Sequence, residues 1–331
     1  MFKKGLFCVF MFFTVFCKAQ TSEAIQQVWE EVSCAEGTNL IPRHEAAFVA
    51  VGDKFFLLGG RGIKPISIFD VKTSIWTEGQ KPPIELHHFQ PVVYENKVYV
   101  IGALTGKYPA ETPVEHIYSY DPQTDHWEKV AAIPNDRQRG STGNVVVKDK
   151  VYIFCGIKDG HRGDHKKWTD SYDFKTRKWE IYVDAPESRD HFQAAVIDQK
   201  VYLVGGRLSK APDKTFSETI STIDVFDLQL ESWEDSTLKI PTQRAGNMVF
   251  PLGKRIFVIG GESITQEKAH AEVEVLDVES HVWETYPKLI HGRHGTGIVF
   301  YNNALYLASG SGKRGGSPEL QSMEKLIINK D

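Results

Sequence analysis

The sequence predicts an all-β protein: a six-bladed β-propeller closed on itself by its amino-terminal strand. Three observations predict it. Six alternating apolar strands end in a pair of small residues, at Gly60, Ala103, Gly156, Gly206, Gly261 and Gly310, a spacing of 43 to 55 residues that marks a repeat architecture. Each of the first five pairs is followed by a turn and a tryptophan, at Trp76, Trp127, Trp179, Trp233 and Trp283, and the intervening strand ends on aspartate in examples such as Asp70, Asp121 and Asp277. The chain also carries 19 Phe, 12 Tyr, 7 Trp and 27 Gly, a usage that favours short strands joined by tight turns over helices.

The remaining composition narrows the function classes. Charged residues at 25% and hydrophobic residues at 41% describe a globular protein and exclude a disordered one. Lys+Arg total 39 against 43 Asp+Glu, so no basic field exists to hold a nucleic-acid backbone. Residues 1–19 read as a signal peptide: Lys3 and Lys4, an apolar run from Gly5 to Phe16, then Cys17-Lys18-Ala19. The run has about 12 residues, short of the roughly 20 that span a bilayer, so no membrane span is expected. Cys17 raises lipidation as an alternative, which the bulky Phe16 before it disfavours. The expected location is the periplasm or the exterior, with residues 20–331 forming the propeller.

Each repeat holds four strands: one before the small-residue pair, the strand ending in it, the aspartate-ended strand and the tryptophan strand. The repeats resemble the kelch family, whose marks are the Gly doublet, a downstream aromatic strand and a Trp at about 50-residue spacing. The resemblance covers nearly the whole of residues 20–331 and implies a propeller without implying an activity. Gly102-Ala103, Cys155-Gly156 and Ser309-Gly310 depart from Gly-Gly, yet all remain small. The sixth repeat has no tryptophan after Gly310. Residues 25–32, with Trp29, can supply that strand beside residues 323–328 and close the ring. Cys34 and Cys155 then fall on opposite sides of the ring, too far apart for a disulfide.

Strand order sorts the loops. Tight turns such as Gly52-Asp53 and Asn302-Asn303 lie on one face; the longer loops 104–114, 157–167, 207–219, 262–270 and 311–319 lie on the other, the expected functional side. Ten of the 12 arginines and nine of the 12 histidines fall on that side. Arg43, Arg139, Arg189, Arg244 and Arg293 occupy one equivalent position in five blades, with Leu86 in the sixth case. A structural role, bonding loop carbonyls, is one reading of them; anion binding through paired hydrogen bonds is the other. With His44, His87, His88, His161, Asp190 and Glu262 they form the expected ligand-binding set, and His191, His294 and Glu45 are the candidate acid/base groups.

The expected ligand is polar, with an acidic sugar as first choice. An alternative is an enzyme acting on sugars as an epimerase, mutarotase or lyase, for which the six-bladed kelch sialic-acid mutarotases are a precedent at the level of fold. A scaffold recognising a cell-surface protein is the other alternative. No cofactor or metal is expected: His161 and His165 have helical ligand spacing but sit in a loop, no zinc-type cysteine pair exists, and a copper radical site like that of galactose oxidase, whose central domain is also a kelch propeller, lacks its Tyr–Cys pair at the mouth. Residues 109–113 and the charged run His165 to Lys167 read as solvated loop. Gly310-Ser311-Gly312 lacks the following helix a phosphate site needs.

Overall fold

A computed structural model describes Met1 and residues 27–328. The leader and residues 25–26 of the closing strand lie outside the described residues. The chain forms six four-stranded antiparallel sheets around one axis. The innermost strands are Ala46–Val51, Val92–Tyr94, Gly143–Val147, Gln193–Ile197, Met248–Leu252 and Val299–Tyr301. The sixth sheet takes its outer strand, Trp29–Glu31, from the amino-terminal side, paired with Met323–Ile327 through Trp29 opposite Leu326. Closure therefore hydrogen-bonds the two ends of the described chain into one blade and leaves no open seam. Among the described residues no helix is long and apolar enough to cross a membrane.

The repeated residues each have a mechanical reason. The aspartate ending a third strand accepts backbone N–H bonds from the two or three residues after it, as Asp173 does from Lys175 and Thr176 at 2.9 and 2.7 Å, which sets the turn into the outer strand. The tryptophan after that turn lies opposite a large residue of the third strand, Phe69, Tyr120, Tyr172, Phe226 and Leu276 in the first five blades, and in the sixth the amino-terminal Trp29 lies opposite Leu326. Ring centroids in the four aromatic pairs stand 5.0 to 5.4 Å apart, good stacking range. Core clusters lie between blades. One joins Phe48, Phe55, Phe69 and Trp76 of the first blade to Val299, Ala308 and Met323 of the sixth.

The five repeated arginines belong to this scaffold, which corrects the expectation that they bind a ligand. Arg43, Arg189, Arg244 and Arg293 are fully buried and Arg139 nearly so. Each guanidinium donates to carbonyls of its own blade. Arg189 reaches Leu203, Gly205 and Thr222; Arg293 reaches Ser309 and Ser322. Four also meet an acid on the third strand: Arg139 with Asp170, Arg189 with Asp224, Arg244 with Glu274, and Arg293 with Glu324. Arg43 has Ser67 at that place, and burial lowers its pKa to about 10. In the second blade both partners are exchanged at once, with Leu86 and Tyr118 together in an apolar cluster. Their guanidinium groups are turned onto carbonyls and acids inside a blade, the buried Nε of Arg189 and of Arg244 has no hydrogen-bond partner, and none of the five lines the axial cavity of the long-loop face.

Candidate functional site

Two residues beyond each clamp position the backbone turns inward in the left-handed region. Glu45, His88, Ser141, His191, Gly246 and Gly295 occupy this place with φ between 52° and 64°. Only glycine adopts it without strain, so four side chains are held there against a cost of about 1 kcal/mol each. The six residues bond around the axis. His88 N donates to Glu45 O, Ser141 N to His88 O, His191 N to Ser141 Oγ, Gly246 N to His191 O and Gly295 N to Gly246 O; Ala46 N completes the circle on Gly295 O.

This collar surrounds a constriction with a cavity of about 40 Å³. Above it, on the long-loop face, the axis opens into a cavity of about 460 Å³, the size of a small-molecule site. Its walls include His44, Glu45, Arg61, His88, Tyr108, His161, Arg207, Phe216 and Glu262. The Tyr108 hydroxyl hydrogen-bonds Thr215 at 3.1 Å, joining loops of the second and fourth blades over the opening. The Arg207 guanidinium lies 5.0 Å from the Phe216 ring centroid.

The sequence-predicted residues other than the clamps come together here. Asp190 accepts from His165 Nε2 at 2.7 Å, from the Ser209 hydroxyl at 2.7 Å and from His191 Nδ1. Glu262 pairs with Arg207 and accepts from Gly315 N at 2.8 Å. His294 Nε2 donates to the carbonyls of Lys313 and Gly315, leaving Nδ1 buried without a hydrogen bond, 3.8 Å from Glu45. His44 contacts Glu319 at 2.8 Å, and His87 is buried behind His88. His270 is turned away, between Ser263 and Glu272.

Electrostatics favour the charged form of the Glu45 and Asp190 carboxylates, while burial disfavours the charged form of His88 and His191. Burial opposes ionisation of Glu45, but His191 and His294 hold its pKa down to about 2. Asp190 is likewise held well below the usual carboxylate range against burial, by His191 and His165. Burial lowers both His88 and His191, aided in each case by neighbouring cations.

Several site residues escaped the sequence reading. Arg61 and Arg207 immediately follow Gly-Gly pairs, a position shared with Leu104, Ile157, Glu262 and Ser311, so the repeat register held a usable signal. Residues 109–113 are not simply solvated. Glu111 is buried, bonds Arg61 at 2.5 Å and approaches His161 Nδ1 at 3.0 Å. His165, expected in solvated loop, is fixed on Asp190.

A model of the KLHDC2/KLHL20/DRC7 Kelch-repeats domain matches residues 88–310. Similar proteins include Kelch-like protein terF of Aspergillus terreus, 28% identical over 290 residues, covering 81% of this chain and 61% of that protein. Kelch-like protein 25 of Xenopus tropicalis is 27% identical over 239 residues, covering 68% and 38%. The chain thus spans less than two thirds of the length of either relative. The N-(sulfonatooxy)prop-2-enimidothioate sulfolyase of Thlaspi arvense is 23% identical over 302 residues, covering 80% and 85%. The solved structure of YjhT superposes with a TM-score of 0.71 at 14% identity, over 86% of this chain and 95% of that one, a likeness of fold. With six closed blades, their repeated tryptophans and a family model spanning most of the ring, the chain belongs to the kelch-repeat family.

Proposed function

We propose that this chain is an exported kelch propeller that binds a polyhydroxylated, carbohydrate-class small molecule in the axial cavity of the long-loop face. The observation that carries the reading is the pairing of two aromatic rings, Tyr108 and Phe216, with a floor of carboxylate, imidazole and guanidinium groups in one cavity of about 460 Å³. Aromatic faces pack against the C–H face of a sugar ring, while fixed polar groups below bond its hydroxyls. Arg61 and Arg207 are already paired with Glu111 and Glu262, and Glu45, whose basic partners within 4 Å are the imidazoles of His88 and His294, adds a further carboxylate. The arrangement therefore favours a neutral sugar over an acidic one.

Binding without chemistry is the better-supported form of this reading. A carboxylate whose pKa is about 2 is a weak general base at neutral pH. His191 and His294 have almost no exposed side-chain surface. The test is calorimetry with neutral hexoses, N-acetyl hexosamines and uronic acids, on the parent and on Phe216→Ala and Tyr108→Ala. Saturable binding of a neutral sugar that both substitutions weaken supports the reading. Binding unaffected by either substitution, or no binding by any of the three classes, overturns it. Export is checked by the mass of the protein recovered from a secreting host: loss of residues 1–19 is expected.

A further inference from the structure

The geometry points to a mononuclear site for a divalent transition-metal ion at the collar, with His88, His161 and His191 as ligands and the Glu45 carboxylate beside it. The three imidazoles come from three consecutive blades, are all buried, and each offers a ring nitrogen within 4.8 Å of the others. Their rings pack edge to face at centroid distances of 4.7 to 5.0 Å. Three imidazoles facing each other in this way, without a hydrogen bond between any two of them, are poorly explained as core packing. They are well explained as a ligand set, since imidazole nitrogen suits zinc, copper, iron and nickel.

Hydrogen bonding behind the triad fixes which nitrogens are free. The Gly106 carbonyl can only accept, so His87 Nε2 carries the proton donated to it at 3.1 Å. Neutral His87 then has a bare Nδ1, and His88 Nδ1 must donate to it across 2.6 Å. That leaves a lone pair on His88 Nε2, which stands 3.5 Å from Glu45 Oε2. A lone pair facing a carboxylate oxygen is repulsive unless a cation lies near both. His191 Nδ1 donates to Asp190, and its Nε2 is buried with no hydrogen-bond partner. His161 Nδ1 lies 3.0 Å from Glu111 Oε1 without making a well-formed hydrogen bond. Asp190, Glu111 and His87 thus stand where the orienting partners of metal-bound histidines stand. The ion would sit at the floor of the axial cavity, open toward it on the Glu45 side.

The experiment uses the full chain, stripped with EDTA and dialysed against Zn²⁺ or Co²⁺, with metal content measured by elemental analysis and Co²⁺ by its visible spectrum. One ion per chain is expected, with nitrogen-ligated Co²⁺ bands, and an affinity at least tenfold weaker in His161→Ala and in His88→Ala. His281→Ala, on the opposite face, serves as control and is expected to bind like the parent. Thermal melting of each variant separates lost ligation from lost folding. If His88→Ala does not fold, His161→Ala, in a loop, decides. No stoichiometric uptake by the parent overturns the proposal. So does uptake that survives His161→Ala but disappears in Glu262→Gln, which would place the ion among Glu45, Glu262 and His294 instead. Metal uptake is read without any sugar, so its failure leaves the carbohydrate reading untouched, and the reverse also holds.

Discussion

Two sets of residues lie at register positions a few residues apart, and they differ in kind. The clamp arginines recur at one register position, and each turns its guanidinium onto its own blade. The collar and mouth residues change from blade to blade: Glu45, His88, Ser141, His191 and two glycines at one position; Arg61, Leu104, Ile157, Arg207, Glu262 and Ser311 at another. Recurrence in five of the six blades reflects a demand those blades share, namely bonding the carbonyls where strands turn. Variation at a fixed, strained position has no such structural motive, and that is where a ligand is met.

The sharpest way to break this comparison is to remove a clamp. Arg293→Met leaves Glu324 buried and unpaired and is expected to lower stability by about 3–5 kcal/mol in urea titration, without an independent effect on ligand affinity in the fraction that stays folded. Placing a clamp where none exists should be nearly as damaging. Leu86→Arg introduces a cation opposite Tyr118 in an apolar cluster, with an expected loss of about 3 kcal/mol; adding Tyr118→Asp should recover part of it. At the mouth the pattern inverts. Phe216→Ala is expected to weaken sugar binding by about tenfold, a loss of about 1.4 kcal/mol in binding free energy, while changing folding stability by less than about 0.5 kcal/mol.

Two smaller effects sharpen the contrast. Cys155 lies beside the Arg139 clamp, and burial pushes its thiol up to about 12. At pH 8 it should resist a disulfide reagent in the folded protein and react fully in urea. The half-buried Cys34 serves as the internal comparison. Glu272, on the rim of the fifth blade, is held at about 2 against burial by Lys288, a backbone N–H and His270. Its folded pKa is depressed, so its contribution is present above its ordinary value of 4.5 and is lost as pH falls toward 2. Glu272→Gln should therefore flatten the acid limb of a stability-versus-pH curve in that window, a difference readable by thermal melting.

The architecture was legible because its causes are local and repeated. Trp29 announced the closing strand, and the aspartate-ended strands announced their turns, since each unit must solve the same packing problem. The clamp arginines were equally visible, but their structural and ligand-binding readings could not be separated, because a guanidinium beside histidines looks the same in sequence whether its donors face a carbonyl or a cavity. Glu111 and Tyr108 could not be placed: they sit in a loop that adds its own hairpin, Leu104–Thr105 with Thr112–Pro113, outside the repeat register. Arg207 could have been found by aligning the residue after each small-residue pair.

The circle of bonds from Glu45 to Gly295 and back through Ala46 works as a hoop. Because five of its six links are backbone to backbone and the remaining one uses only the Ser141 hydroxyl, its tension does not depend on which loop lies above it. Its bare sector at Gly246 and Gly295 and its furnished sector at Glu45, His88 and His191 give the mouth a front and a back, so a guest has one azimuth in which to lie. Loops can be exchanged over evolutionary time and the guest replaced, while the barrel beneath stays hooped.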